Sequence, residues 1–194
     1  MELILASVSP RRRELLEMIG LEFSIIPSDV DEGIDEADPG RLVERLAHLK
    51  ASSVRQGRKD CCVIGSDTVV VLDGKIIGKP GDERDAERIL KLLRGRTHTV
   101  YTGLAVLSDE YSFVSHDKTL VTFAAMTDAQ INAYVASGEP LDKAGAYGIQ
   151  GVGGVFVERV EGCYFTVIGM PLPMLYRALT PLGILPKQLA GLKK

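Results

Sequence analysis

Short apolar runs typical of strands alternate with amphipathic stretches typical of helices along this 194-residue chain. The run "ELILA" leads into a helical stretch that carries Leu15, Met18 and Ile19 on one face and ends at Gly20. Such alternation favours an α/β fold. Asp73-Gly74 is a typical hairpin turn between "CCVIGSDTVVVL" and "KIIG". Because a hairpin pairs its strands antiparallel, the pattern predicts a mixed sheet with flanking helices.

The rest of the chain continues the alternation. A second strand, "EFSIIP", is followed by an acidic loop over 29–38. The run "CCVIGSDTVVVL" is a predicted strand that the polar pair Ser66-Asp67 could interrupt. The other predicted elements are a helix from about Arg41 with Leu42, Leu46 and Leu49 on one face, a helix from about Glu83 to Gly95, strands near 97–107 and 111–124, a helix that starts at the capping box "TDAQ" and stops at Gly138, the strand "VFVERV" and a last helix after Pro171.

Composition excludes several classes of protein. A net charge of -3 and a pI near 5.7 argue against a general nucleic-acid or membrane surface, so any basic site is local. Three cysteines, of which Cys61 and Cys62 are neighbours, give neither metal-ligand spacing nor an even disulfide set, and this favours a reducing, cytoplasmic setting. No run is long and apolar enough for a bilayer, and the N-terminal run does not have the form of a signal peptide.

The stretch "LASVSPRRRELL" places arginines where a helix tolerates them least. Pro10 suits the first helical position and Ser9 suits the cap, so Arg11, Arg12 and Arg13 fall in the first turn. That end of a helix carries about +0.5 of a charge, and cations there cost stability. A bound polyphosphate would make them favourable, because exposed amides and arginine forks both bind phosphate oxygens. Ion pairs with nearby glutamates are an equally good explanation from the sequence alone.

Four further polar residues lie at the ends of predicted elements. Asp67 follows the apolar run "CCVIGS", Lys79 follows the hairpin, Lys50 lies near the end of a helix, and Glu32 lies in the acidic loop. Carboxylates at strand ends often line ligand clefts in α/β proteins, and a loop glutamate can bind Mg²⁺. Each residue also has an ordinary structural explanation, as a turn, cap or solvated side chain.

A glycine-rich loop, 138–154, contains "DKAGAYGIQGVGG". Glycines let the backbone come close to a ligand, and they also make flexible connections. The sequence does not choose between the two.

The order of these motifs is more specific than any one of them. "LASVSPRRRELL", "DVDE", "RLAHLKA", "GSDTVVVLDGKIIGKP", "GRTHTVYTG", "SGEPLDKAGAYGIQG" and "VIGMPL" together resemble the Maf (septum-formation) family of nucleoside triphosphate pyrophosphatases. The resemblance covers nearly the whole chain and implies a single Maf-like domain over 1–194. It implies a fold like that of inosine triphosphate pyrophosphatase, with two lobes around a cleft. It also implies a divalent metal cofactor, Mg or Mn, and a homodimer.

Matched by position, the resemblance implies roles for particular residues. Asp67 corresponds to the proton acceptor, and Glu32 and Asp67 are the expected metal ligands. The expected substrate-binding residues are Ser7, Arg11, Arg12, Lys50, Thr68, Lys79 and Gln150. Thr166, where relatives usually carry asparagine, and Met170, where they carry leucine, depart from the family pattern away from the site motifs.

Three of these positions divide the family by substrate. Arg11, Thr68 and Gln150 resemble the dTTP/UTP branch, whereas the 7-methyl-GTP branch carries a non-arginine, a glutamine and a glutamate there. The resemblance therefore implies hydrolysis of dTTP and UTP to the monophosphate and pyrophosphate, with no nucleic-acid polymer and no membrane as partner. Two alternatives stay open: a pyrophosphatase for 7-methyl-GTP or modified nucleotides, and a nucleotide-binding regulator without significant turnover.

Overall fold

The computed structural model describes residues 1–189; the last five residues of the predicted domain, 190–194, lie outside the described part. The strands are β1 Glu2–Leu5, β2 Ser24–Ile25, β3 Cys61–Leu72, β4 Lys75–Ile77, β5 Thr97–Leu107, β6 Ser112–Phe123 and β7 Val157–Glu161. The α-helices are α1 Pro10–Met18, α2 Pro39–Arg55, α3 Glu83–Leu93, α4 Asp128–Ala136, α5 Tyr164–Ile168 and α6 Leu172–Leu179. Short 3-10 turns lie at Glu139–Asp142, Ala144–Ala146, Val152–Phe156 and Thr180–Leu182.

The strands form one mixed sheet in the order β2-β1-β3-β5-β6-β7, with β4 paired to β3. β1 runs parallel to both β2 and β3, whereas β4 pairs antiparallel with β3 and β7 antiparallel with β6. The predicted α/β class with a mixed sheet and flanking helices is confirmed. The chain divides into two compact units, which we call unit 1 (1–67, 102–117 and the described residues from Gly169) and unit 2 (68–101 and 118–168).

In unit 1, helix α2 lies against the sheet through small residues. Ala47, Ala51 and Val54 of α2 pack with Ile4 of β1 and Val63 of β3 in one apolar cluster. Two glycines make the approach close: a Cβ on Gly65 would lie 2.1 Å from the Ala47 carbonyl oxygen, and one on Gly103 would lie 2.1 Å from that of Val43. No side chain fits at either position, so the helix backbone is held directly over β3 and β5.

In unit 2, the core combines the far part of β3 with α3, α4 and an aromatic group. His98, Phe123 and Tyr147 pack edge to face, with ring centroids 4.7 to 5.4 Å apart. The His98 Nε2 atom is 2.9 Å from the Tyr147 hydroxyl, and Nδ1 is buried without a hydrogen-bond partner among the described residues. Burial lowers the pKa of His98 to about 4.

Some local predictions from the sequence were wrong. Met18 is exposed, and α1 buries Leu15 and Leu16 instead. Leu49 of α2 is also exposed. β3 runs through Ser66-Asp67 without a break, and helix α5 was not predicted. Both residues that depart from the family pattern, Thr166 and Met170, are fully buried.

Other local predictions are confirmed. Thr127 and Gln130 form both hydrogen bonds of the capping box, and the Asp73-Gly74 turn joins β3 to β4 with positive φ at both residues. Cys61, Cys62 and Cys163 are free thiols, and burial raises the pKa of Cys62 to about 12. Within residues 1–189, no helix has both the length and the apolar character needed to cross a membrane.

The buried His98 predicts a stability that depends on pH. Between pH 6.5 and about 4 the unfolded chain binds a proton that the folded chain does not, so the free energy of unfolding falls as the pH falls. The contribution of neutral His98 to the free energy of unfolding is fully present above pH 6.5, and the loss of this contribution by pH 4 is on the order of 3 kcal/mol. Urea unfolding across this range should show a shallower pH dependence in His98→Phe than in the unsubstituted protein. His48→Gln, a change at an exposed histidine, should keep the full pH dependence of the free energy of unfolding. An equal pH dependence in all three proteins would show that His98 is not its source.

Candidate functional site

The predicted site in unit 1 is centred on a lysine held between two carboxylates. Lys50 Nζ on α2 lies 2.6 Å from Asp67 Oδ1 on β3 and 2.8 Å from Glu32 Oε1 in the acidic loop. The side chains of Lys50 and Asp67 are 9% and 12% exposed, whereas that of Glu32 is 57% exposed. A buried ammonium needs charged or hydrogen-bonding partners, and here it has both. The three residues, which we call the carboxylate–lysine trio, place an acidic group at a water-accessible position.

The close approach of α2 to β3 sets the geometry of the carboxylate–lysine trio. Gly65 faces Ala47 and Ala51, and Asp67 lies on the same face of the strand two residues later. Lys50 lies between those alanines in the sequence of α2, so the helix delivers its side chain to the Asp67 carboxylate. A larger residue at position 65 would separate the helix from the strand and the lysine from the carboxylate.

Arg12 is fixed to the turn that follows β1 and to the segment before α6. Its Nη1 atom donates to Ser7 Oγ at 3.2 Å, and its Nε atom donates to the Gly169 carbonyl at 3.0 Å. The same carbonyl accepts a 2.8 Å bond from the Ser66 hydroxyl, which also lies 2.8 Å from the Gly103 carbonyl. Ser66, next to Asp67, is therefore part of the scaffold that orients the guanidinium.

Electrostatics link Arg12 to the carboxylate–lysine trio. Burial lowers the pKa of the Arg12 guanidinium from its ordinary value, Asp67 and Glu32 oppose that shift, and Arg11 adds to it. A guanidinium stays protonated in proteins, so the lowered pKa means that the cation is poorly solvated. A partly desolvated cation of this kind gains more from a bound anion than a solvated one does.

Ser9 does not cap helix α1 through its side chain, contrary to the prediction from the sequence. Its φ and ψ are those of an N-cap, yet its side chain makes no cap hydrogen bond. Instead its own amide donates to Ser7 Oγ at 3.2 Å. Ser7 thus accepts from both Ser9 and Arg12, and the first turn of α1 has no acidic residue. The positive N-terminal end of α1 therefore lies next to the arginines and is not neutralised by an acidic side chain in the first turn, as an anion site requires.

The remaining predicted residues, Thr68, Lys79 and Gln150, lie in unit 2. Lys79 and Gln150 are exposed, and Thr68 is half-buried. The segment before Lys79 is tied to the glycine-rich loop, because the Gly145 amide donates to the Gly78 carbonyl at 3.0 Å. Gly145 has a φ of +71°, and a Cβ there would lie 2.7 Å from Val70 Cγ2, so the loop needs glycine at this point.

The structure thus groups six of the predicted residues in unit 1, namely Ser7, Arg11, Arg12, Glu32, Lys50 and Asp67. Sequence reasoning gave no role to Ser66, Gly169 or Glu139. Ser66 lies inside the quoted motif "GSDTVVVLDGKIIGKP" and Gly169 inside "VIGMPL". This membership is the sequence signal that could have indicated a role for them. Arg12 and Ser66 both donate to the Gly169 carbonyl, which is far from each of them in the chain, so spacing alone could not show these contacts.

The donor set of the carboxylate–lysine trio suits a hard divalent cation. Mg²⁺ is commonly held by one or two carboxylates together with substrate phosphate oxygens and water. Glu32 and Asp67 meet at one ammonium and supply such oxygens. Within residues 1–189, no group of three or more His, Cys, Asp or Glu side chains is placed to hold a metal ion. The arrangement fits a cation shared with a phosphate better than an all-protein metal cage.

The shared Gly169 carbonyl predicts unequal effects of two substitutions on stability. Ser66→Ala removes a fully buried hydroxyl donor and should lower the free energy of unfolding by about 1 to 3 kcal/mol. Arg12→Ala should cost less, because Gly169 keeps its bond from Ser66 and a cation leaves the positive end of α1. Arg13→Ala, at the exposed neighbour, is the control for urea unfolding. A larger loss in Arg12→Ala than in Ser66→Ala would make Arg12 a structural ion-pair residue.

Comparisons with known proteins agree with the motif order. Residues 2–182 match the family described as Maf-like protein. A Bacillus thuringiensis subsp. konkukian protein named dTTP/UTP pyrophosphatase is 47% identical over 184 residues, which cover 94% of this chain and 96% of that protein. An Aquifex aeolicus protein of the same name is 48% identical over 185 residues, covering 95% and 97%.

Among solved structures, the Staphylococcus aureus Ham1 protein is similar with a TM-score of 0.48 and 19% identity, over 64% of this chain and 72% of that one. This structural likeness is slight, and the assignment rests on the sequence matches. The family match over nearly the full length, together with relatives at 47% and 48% identity, shows that the chain belongs to the Maf-like protein family.

Proposed function

We propose that this protein is a nucleoside triphosphate pyrophosphatase that hydrolyses dTTP and UTP to the nucleoside monophosphate and pyrophosphate. The observation that carries the proposal is the buried Asp67–Lys50 pair with Glu32, located in the same unit as a desolvated arginine at a helix start. The name dTTP/UTP pyrophosphatase, borne by relatives that align over more than nine-tenths of their length, supports the substrate and the reaction.

Asp67 is the proposed general base. The carboxylate orients a water molecule and takes its proton as the water oxygen attacks the α-phosphorus. The bond between the α-phosphorus and the bridging oxygen to the β-phosphate breaks, and pyrophosphate leaves. Lys50 keeps the carboxylate in position through the 2.6 Å contact. General base catalysis of this type typically contributes 10²- to 10⁴-fold.

The cationic residues are the proposed phosphate ligands. Phosphoryl chemistry needs mainly positioning and neutralisation of charge. Arg11 and Arg12 in the first turn of α1, together with Lys50, supply positive groups for the triphosphate oxygens, and Ser7 supplies a hydroxyl. A phosphate-binding role for Lys79 stays a prediction from the family resemblance. This role explains why a helix start carries Arg11 and Arg12 and no acidic residue despite the cost to helix stability.

A divalent cation, Mg²⁺ or Mn²⁺, would neutralise phosphate charge when bound. Glu32 and Asp67 are the residues that would hold it, and together they offer the hard oxygen ligands that such ions prefer. Homodimerisation stays a prediction from the family resemblance, and a cytoplasmic location stays a prediction from the cysteine content. Light scattering on the purified chain measures the first of these directly.

Base selection is assigned to Gln150 and Thr68. Uracil and thymine present carbonyl acceptors on either side of an N–H donor, and a glutamine amide carries both a donor and an acceptor to match an adjacent pair. The Gln150 side chain is exposed, and no hydrogen bond joins it to another residue within 1–189. An amide that does not brace its own loop is available for a base.

A nucleotide panel separates this proposal from its alternatives. The purified protein is incubated with dTTP, UTP, CTP, GTP and 7-methyl-GTP in the presence of Mg²⁺, and the released phosphate species are identified. Pyrophosphate from dTTP and UTP supports the proposal, and orthophosphate makes the protein a phosphatase. Turnover of 7-methyl-GTP alone places the protein in the other branch, and binding without turnover makes it a regulator.

Asp67→Asn tests the general base. The substitution keeps the size of the side chain, so nucleotide binding should persist while kcat falls by roughly 10²- to 10⁴-fold. Asp73→Asn makes the same chemical change at an exposed turn residue after the same strand, and it should keep full activity. Near-normal turnover of pure Asp67→Asn protein would remove Asp67 from the role of base.

Gln150→Glu tests the base-reading role. An ionised glutamate only accepts hydrogen bonds, so it would face a carbonyl oxygen of uracil or thymine with repulsion, whereas it suits cationic 7-methylguanine. A base bound against residue 150 covers its side chain, and a polar group that is covered without a partner costs about 1 to 3 kcal/mol, so kcat/KM for dTTP and UTP should fall roughly 5- to 150-fold. The value for 7-methyl-GTP should fall far less. An equal loss on every nucleotide would show that Gln150 does not read the base.

A further inference from the structure

Glu139 is the charged residue around which the glycine-rich loop folds. Its carboxylate accepts three hydrogen bonds: Oε1 from the Tyr134 hydroxyl at 2.8 Å, Oε2 from the Val152 amide at 2.9 Å, and Oε1 from the Gly153 amide at 3.1 Å. Two consecutive amides of the loop thus point at one carboxylate. Burial raises the pKa of Glu139, but the bonds from Gly153, Val152 and Tyr134 and the charge of Lys143 together outweigh it, and the pKa lies below its ordinary value.

Tyr134 extends this contact to the other side of Gln150. Its hydroxyl donates to Glu139 and accepts from the Gly148 amide at 3.1 Å. The tyrosine is buried at the end of α4 and packs edge to face on Phe156, with ring centroids 5.3 Å apart. The amides of Gly148, Val152 and Gly153, which flank Gln150 on both sides, are therefore tied to one carboxylate directly or through one hydroxyl.

Two glycines of the loop leave room for this packing. A Cβ on Gly151 would lie 2.5 Å from Glu139 Oε1, and one on Gly153 would lie 2.4 Å from the Tyr134 hydroxyl oxygen. The sequence left two explanations for the glycines, close approach to a ligand and flexible connection. At 151 and 153 the close approach is to the protein's own carboxylate and hydroxyl.

Gln150 itself takes no part in the bracing. Its exposed side chain makes no hydrogen bond within residues 1–189, while the backbone on both sides of it is held. We infer that Glu139, with Tyr134 as its relay to Gly148, is a positioning residue that holds the Gln150 backbone in the geometry needed to select the pyrimidine base. The inference rests on the proposed function, since it takes Gln150 as the base-reading residue. Neither Glu139 nor Tyr134 is assigned any contact with substrate.

Glu139→Gln is the main variant for the test. It keeps the size of the side chain but replaces the acceptor of the Val152 or Gly153 amide by an NH₂ donor. Tyr134→Phe keeps the ring packing and removes only the relay to Gly148, so it serves if Glu139→Gln does not fold. Glu158→Gln is the matched control, because Glu158 is exposed on β7 in the same unit.

The first measurement uses the protein without nucleotide. Hydrogen exchange of the amides over 148–153 should speed up by about ten-fold or more in Glu139→Gln, since each lost bond exposes an amide to solvent. The Gly148 amide alone should exchange faster in Tyr134→Phe, and Glu158→Gln should match the unsubstituted protein. Unchanged exchange in both variants would overturn the bracing, whatever the protein's activity.

The second measurement compares substrates. In Glu139→Gln, kcat/KM for dTTP should fall about ten-fold relative to 7-methyl-GTP, mostly through KM, because the base is read less well. The inhibition constant of inorganic tripolyphosphate, which has no base, should stay within about two-fold, because a base-free ligand makes no contact that Gln150 could lose. Faster exchange with unchanged selectivity, or an equal loss on dTTP and tripolyphosphate, would overturn the positioning role. If the unsubstituted protein releases no pyrophosphate from any nucleotide, the proposed function fails, while the exchange result still reports on the bracing.

Discussion

The direct contact of helix α2 with strands β3 and β5 is the constraint on which the site in unit 1 depends. Gly65 and Gly103 leave no room for a Cβ beneath the Ala47 and Val43 carbonyls, so the helix backbone lies directly on the sheet. This approach brings the Lys50 ammonium to the Asp67 carboxylate. The attraction in a buried ion pair repays the cost of desolvation only when its geometry is good, so the pair depends on the backbone that carries it.

In each unit, one group holds another polar side chain, or the loop that carries it, in place. In unit 1, the Gly169 carbonyl orients Arg12 and is itself fixed by Ser66. In unit 2, the Glu139 carboxylate fixes the loop that carries Gln150. In both cases a group that has no proposed contact with substrate holds the side chain or the backbone of a residue that has one. Rigid support of this kind is what allows a hydrogen bond to discriminate between ligands.

Local patterns predicted most elements and failed where burial depends on neighbours. The hairpin turn at Asp73-Gly74 and the capping box at Thr127 are decided by residues close in the chain, and both formed as predicted. The apolar face expected at Met18 and Leu49 was wrong, because exposure depends on what packs against a helix and not on its periodicity. The sequence left open whether the strand breaks at Ser66-Asp67, and it continues, since a polar residue can continue a strand when its partner, here Lys50, is supplied by another element.

The sequence by itself determined the mixed α/β class, the order of the elements, the family and the set of candidate residues, because these follow from short-range patterns and motif order. Only the tertiary structure decided which of those residues meet. Lys50 and Asp67 are separated by 17 positions, and Arg12 and Gly169 by 157, so their contacts exist through the packing of a helix on a sheet and of one segment on another. The structure also decided that Gln150 is left exposed while Glu139 holds its loop, because hydrogen-bond partners in a folded loop are fixed by its three-dimensional course.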